Sequence, residues 1–164
     1  AKKADPAFAR WVDQNTVGHK TQGYAIAVIS LKPIGGAPGD ATAEQMRAMA
    51  IAAERFSLDE LRITHEQNVV LPYVKLDDLP SLYALLKSQG LHAANLGLVT
   101  DIIACPGLDY CALATARSIP VAQAIAERFA DEDRQRRIGP QGYFGRATLA
   151  VGGWVSAALR RTRR

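Results

Sequence analysis

Glu60-Leu-Arg-Ile-Thr-His-Glu-Gln-Asn-Val-Val-Leu-Pro-Tyr-Val74 is the stretch that decides the fold. Residues 60–66 alternate. Leu61, Ile63 and His65 fall on one side, and Arg62, Thr64 and Glu66 on the other, which is the period-two pattern of a strand with one apolar face. Residues 69–74 read as a second strand, and the pair Gln67-Asn68 between them would make a tight connection. If Leu61 and Ile63 face a core, Arg62 and Thr64 face away from it. His65 then lies on the apolar side, as a partly buried or strand-end histidine rather than a catalytic base.

Upstream, residues 23–32 read as a strand carrying Tyr24, Ile26 and Val28 and stopped by Pro33, and residues 33–39 are a loop by their Pro and Gly content. Thr42 is placed to cap a helix, with Gln45 three residues on completing a capping box. Met46, Met49, Ala53 and Phe56 then recur at helical spacing, as a core stripe. Downstream, Asp77 or Asp78 caps a second helix with Pro80 in its first turn. Leu82, Leu85 and Leu86 form its apolar side, and Gly90 ends it. The order β-α-β-β-α is most of a ferredoxin-like α+β unit, with helices on one sheet face. The other face is then open to a ligand or partner.

Residues 98–104 form a further apolar run. Residues 112–137 read as helical, interrupted near Ser118-Ile-Pro120, where Ser118 would cap a new helix with Ala122, Ile125, Ala126 and Phe129 on one side. The alternating charges of 127–137 suit a solvated helix end. No repeat and no low-complexity linker is visible.

At 164 residues, 48% hydrophobic and 22% charged, the chain has the composition of a globular protein of one domain or two small ones. The net charge of +4 includes Arg160, Arg161, Arg163 and Arg164 near the end, and no aromatic-interleaved basic patch points to nucleic acid. Two cysteines exclude a secreted disulfide framework. The first residues, Ala-Lys-Lys-Ala-Asp-Pro, contain no apolar signal region. The apolar run 147–159 contains Gly152 and Gly153 and falls short of the roughly 20 residues a membrane span needs. A cytoplasmic protein is expected, with neither membrane nor nucleic acid as partner. Lys20, Lys32 and Arg62 could contact an anion, although the two lysines read more simply as surface residues.

Cys105 and Cys111 flank a Pro106-Gly107 turn as Cys-x5-Cys. Thiolates are soft ligands suited to iron–sulfur clusters, zinc or copper(I). Pro106 and Gly107 let the backbone turn sharply and bring amide N–H groups near sulfur, which tunes a cluster. Zinc would usually show closer spacing and a further Cys or His pair, whereas His19, His65 and His92 are scattered. On spacing alone, two inert buried cysteines fit as well.

Four segments carry a resemblance: Asn15-Thr-Val-Gly-His-Lys20, Gly36-Ala-Pro-Gly-Asp-Ala-Thr42, Arg62-Ile-Thr-His-Glu-Gln-Asn68 and Ala104-Cys-Pro-Gly-Leu-Asp-Tyr-Cys-Ala-Leu-Ala114. From about Phe8 to Pro140 the chain resembles the siroheme-dependent nitrite and sulfite reductases, in which a ferredoxin-like half-domain leads into a siroheme and [4Fe-4S] domain, twice per polypeptide. It is most similar to the second copy. The resemblance implies a ferredoxin-like half-domain over 1–96, the beginning of an α/β siroheme/Fe–S domain over 97–140, and a tail outside the pattern over 141–164. It implies that Cys105 and Cys111 are two of four cluster ligands, and that Arg62, Thr64, Gln67, Asn68 and Gly107 bind cofactor. Siroheme carries eight carboxylates, so an arginine and neutral donors suit it. The implied reaction is six-electron reduction of sulfite to sulfide or of nitrite to ammonia. Neither the choice of substrate nor the electron donor is legible, and no catalytic residue is assigned.

The family's second cysteine pair, Cys-x3-Cys, is expected soon after Pro140, yet no cysteine follows Cys111. The chain therefore reads as a truncated family member, inactive in isolation. It could be a fragment, a homodimer of half-domains, or one part of an assembly with a partner subunit. The alternative reading is a non-catalytic, cofactor-free α+β module that self-associates or pairs with another subunit.

Overall fold

The computed structural model describes residues 5–131 and the backbone of Thr148 and Leu149. The tail expected over 141–164 and the last residues of the helix expected to reach 137 otherwise lie outside the described residues. Contacts divide the chain into two compact units, one of Ala1–Pro33 with Asp40–Leu96, the other of Ile34–Gly39 with Gly97–Arg164.

The first unit opens with helix α1, Pro6–Asn15. Asp5 caps it by accepting the Ala7 and Phe8 amides at 2.9 and 3.0 Å, and Pro6 sits where no helical N–H is needed. Strand β1 (Thr16–Gly18) turns back into β2 (Tyr24–Ser30). Helix α2 (Ala43–Phe56) begins with the expected capping box between Thr42 and Gln45. Strands β3 (Arg62–Ile63) and β4 (Asn68–Lys75) follow, then a short 3₁₀ turn and helix α3 (Leu79–Ser88). The antiparallel sheet has the order β1-β2-β4-β3. The β2-α2-β3-β4-α3 order is the α+β, ferredoxin-like unit expected, with α1 and β1 added before it.

One core joins all three helices to one sheet face. Ala27, Ile29, Val69 and Leu71 meet Phe8, Trp11, Met49, Ala52, Leu82 and Leu86 there. Burying a side chain such as Leu82 or Leu86 contributes about 1.5–3 kcal/mol. On α2 the expected Met49 and Ala53 are buried and Phe56 packs against the core, joined by Ala48 and Ala52, while Met46 is 61% exposed. Small alanines define the contact, and Met46 falls at its margin.

Pro72 stands inside β4, where a ladder N–H would be lost. The register explains it. Ala25 pairs with Val74 and Ala27 with Leu71, so Pro72 and Tyr73 oppose Ile26 alone, as a bulge. The Tyr73 amide goes instead to the hydroxyl of Ser57, a fully buried residue at the end of α2.

Buried asparagines lock the margins of this unit. Asn15 donates to the carbonyls of Val28 and Ala93 at 3.0 and 2.9 Å. Asn95 donates to Lys32 at 3.0 Å, and Asn68 accepts from the Leu31 amide at 3.3 Å.

The second unit contains β5 (Ile103–Ala104), helix α4 (Ser118–Arg128) and β6 (Thr148–Leu149), with β5 and β6 parallel. Ile102, Ala104 and Ala122 form its small core, with Ile125 against them. Residues 112–117 are not helical, contrary to expectation. The Leu108 amide binds the Ala116 carbonyl at 3.1 Å and draws the chain back under the cysteine loop. Ser118 does not cap α4, because Arg117 holds that position; the serine hydroxyl donates to the Cys105 carbonyl.

Candidate functional site

The expected strand 60–66 is shorter than its alternation suggests. Only Arg62 and Ile63 pair with β4, opposite Val70 and Val69. Thr64 begins a turn in which the Gln67 amide binds the Thr64 carbonyl at 3.2 Å and the Thr64 amide binds the Asn68 carbonyl at 2.9 Å. Gln67 closes it at φ +58°, the left-handed region usually given to Gly or Asn. His65 is therefore not on an apolar face. Its side chain is 85% exposed, with Nε2 3.1 Å from the Glu66 carboxylate.

Arg62 faces as expected. It pairs with Val70, which also pairs with Val28, so the three share the sheet face that no helix of this unit covers. Ile63 is on the helix side yet 73% exposed, because β3 is an edge strand only two residues long. The Arg62 Nε–H donates to Glu60 Oε1 at 2.6 Å. That hydrogen bond, and then the Glu60 charge, hold the guanidinium above its ordinary pKa, with Tyr73 adding to the effect. Like any arginine, Arg62 is a permanent cation.

The other expected cofactor residues of the strand have work inside the hairpin. Thr64 Oγ1 accepts the Glu66 and Asn68 amides, each at 3.2 Å. Asn68 is fully buried. Lys32 is not a surface lysine: it is 2% exposed, and its ammonium donates to the Glu66 carbonyl. Lys20 is exposed.

Two residues beside Arg62, Glu60 and Tyr73, were not singled out from the sequence. Glu60 is its ion-pair partner. Tyr73 meets the His19 ring edge-on at 5.5 Å, and His19 Nδ1 accepts the Thr21 amide at 2.9 Å. Tyr24 lies 6.0 Å from the same imidazole. The pattern Glu60-x-Arg62, with both charges on one side of a strand, was the available signal for the first. The bulge at Pro72 hid the second, because it reverses which residues of β4 share a face.

In the second unit, Cys105 and Cys111 are free thiols of intermediate burial. They bracket a compact loop. The Cys111 and Tyr110 amides bind the Gly107 carbonyl at 2.8 and 3.2 Å, and Arg117 pairs with Asp109 at 3.0 Å. Gly107 has φ +64°, and a Cβ there would stand 2.6 Å from the Ala116 carbonyl and 2.9 Å from Ser118 Oγ. Only glycine fits both the backbone and the space.

Two thiolates do not complete a [4Fe-4S] cluster, which takes four. The chain has no third cysteine, and among the described residues no group of three or more His, Cys, Asp or Glu could hold a metal ion. The chain's own ligand set therefore does not fit a whole cluster. For a carboxylate-rich tetrapyrrole the fit rests on Arg62, a cation on the sheet face that also carries Val28 and Val70. Among the described residues no helix is long and apolar enough to cross a membrane.

Residues 20–89 match the family described as the nitrite/sulfite reductase ferredoxin-like half-domain. Across 79% of its length the chain is 32% identical to a chloroplastic ferredoxin–nitrite reductase of Zea mays, covering 24% of that protein. It is 32% identical over 75% of its length to a ferredoxin–nitrite reductase of Synechococcus elongatus, covering 25% of it. It is 30% identical over 64% of its length to sulfite reductase [ferredoxin] 2 of Mycolicibacterium paratuberculosis, covering 20% of it. The chain thus spans a quarter or less of the length of these relatives. Its first unit is a ferredoxin-like half-domain, and through it the chain belongs to the nitrite/sulfite reductase family.

Proposed function

We propose that this chain contributes a siroheme-facing sheet and one of two cysteine pairs to a nitrite or sulfite reductase, with ferredoxin as electron donor. The observation that carries the reading is the place of Arg62, a cation on the helix-free sheet face of a half-domain of this family. Its guanidinium suits a carboxylate of the macrocycle, and a charge-assisted pair of that kind orients as well as attracts. Thr64 and Asn68 act one step back, by holding the hairpin that presents Arg62 and Gln67. Gly107 keeps the Cys105–Cys111 loop compact, and these two thiols supply half of a cluster's ligands. The other thiolates would come from a further segment or a second polypeptide. Bound siroheme would supply the iron that holds nitrite or sulfite.

Absorption spectroscopy after anaerobic reconstitution of the chain with siroheme tests the reading. Siroheme bands that co-elute with the wild-type chain and are lost in Arg62→Gln support it. A colourless wild-type protein refutes siroheme binding by this chain.

The internal commitments of Thr64 and Asn68, together with the half set of thiolates, favour a second reading. Here the chain is a cofactor-free α+β module that self-associates or pairs with another subunit. Sedimentation separates the possibilities, since a strict monomer near 17.7 kDa removes self-association.

A further inference from the structure

Arg62 already has an anionic partner within its own hairpin. Its Nε–H is bonded to Glu60 at 2.6 Å, and both side chains are partly exposed, Arg62 at 60% and Glu60 at 38%. Glu60 is held there by a tight turn. Its amide binds the Ser57 carbonyl at 3.0 Å, and the central residues Leu58 and Asp59 stand at φ +54° and +59°. Two consecutive left-handed residues, neither of them glycine, cost about 1–2 kcal/mol each. The turn closes on Ser57, which is fully buried and bonded to the Tyr73 amide. On the other side, Tyr73 is held by the His19 ring, and His19 by the Thr21 amide. Arg62 is therefore flanked by groups whose own positions are set by the fold.

We propose that Glu60 is a specificity-determining residue: its carboxylate occupies Arg62 until a polycarboxylate ligand displaces it. This rests on the reading of Arg62 as the anion-binding group of the sheet face. A small anion such as nitrite offers one charge and must take the arginine from a tethered rival already in place. A planar polycarboxylate brings several carboxylates and an apolar body, so it can compensate for the displaced pair elsewhere on the sheet. Glu60 would thus reserve the position for the macrocycle rim and keep the substrate anion off it.

The test uses the full 164-residue chain at fixed ionic strength, because exposed pairs are screened by salt. Uroporphyrin, a planar tetrapyrrole octacarboxylate, is titrated by fluorescence, with nitrite as competitor. Glu60→Gln should tighten uroporphyrin binding by about two- to fivefold, the range that an exposed ion pair is worth, and should let nitrite compete at lower concentration. Glu44→Gln is the charge control, since Glu44 pairs with Arg47 on exposed α2. Unchanged or weaker binding by Glu60→Gln overturns the proposal, as does equal tightening by Glu44→Gln. If Arg62→Gln binds as well as the wild type, the reading of Arg62 itself fails. If Arg62→Gln loses binding while Glu60→Gln gains none, only the role of Glu60 fails. Absence of binding by both the wild type and Glu60→Gln overturns both.

Discussion

Asn15→Ala should destabilise the first unit by more than its small change in volume suggests. Strand β1 ends its pairing at Thr16 opposite Ala27. One position on, the Asn15 side chain supplies the donor that a strand amide would have given to Val28, and it donates to Ala93 as well. Both acceptors are carbonyls, so both are met by the Asn15 Nδ2 hydrogens. Removing it takes away two hydrogen bonds and leaves two carbonyls short of a donor, a loss of about 2–4 kcal/mol. Against this, Asn15 Oδ1 is buried with no hydrogen-bond partner, and deleting that atom returns about 1 kcal/mol. The expected net loss is about 1–3 kcal/mol. Urea unfolding followed by tryptophan fluorescence measures it, because Trp11 is fully buried beside Tyr83. Replacing Trp154 by Phe in both proteins leaves Trp11 as the sole reporter. The midpoint should fall with an unchanged slope. A loss under about 0.5 kcal/mol would refute the reasoning, since that is within the ordinary range for surface substitutions.

The other predictions concern the hairpin, the cysteine loop and the aromatic core. Gln67→Gly should raise stability by about 0.5–1 kcal/mol, because glycine accepts φ +58° without strain; a fall in the urea midpoint counts against the left-handed turn. Gly107→Ala should open the cysteine loop through the 2.6 Å clash with the Ala116 carbonyl. Faster modification of Cys105 and Cys111 by a thiol reagent would report it, and unchanged rates would show that the loop has room. Burial first, and then the Asp5 carboxylate, disfavour the Tyr83 phenolate and raise its pKa. The unfolded chain therefore releases this proton first, and stability should fall as pH rises past the ordinary phenol value of about 10. Tyr83→Phe should flatten that part of the profile; an equal slope in both proteins would exclude Tyr83 as its source.

Helix α1 is legible in the sequence. Asp5-Pro6 is a start signal, and Phe8, Trp11, Val12 and Asn15 recur at helical spacing, all buried. The tip of the hairpin is not legible from period, because alternation from 60 to 66 runs through residues that turn. Period alone does not say where pairing stops, and the left-handed Gln67 carries no glycine to mark it. The burial of Lys32 is hidden from the sequence for a related reason. A lysine at a strand end is usually solvated, but here the segment after α3 returns beside it, and Asn95 binds its carbonyl. Contacts between residues so far apart in the chain leave no local trace.

Local chemistry settled the elements that depend on neighbours in sequence: the Thr42–Gln45 capping box, Pro80 in the first turn of α3, the β-α-β-β-α order, and the turn that Pro106 and Gly107 impose between the cysteines. Each rests on backbone preferences or on side chains three or four residues apart. The assembled chain settled what depends on register. The bulge at Pro72 sets Tyr73 near Arg62, and a left-handed turn brings Glu60 onto the guanidinium. Folding also turned Asn68 and Thr64 inward, where unpaired polar groups would be costly. Residue type therefore shows that Arg62 can bind an anion, while the tertiary structure shows that it already holds one.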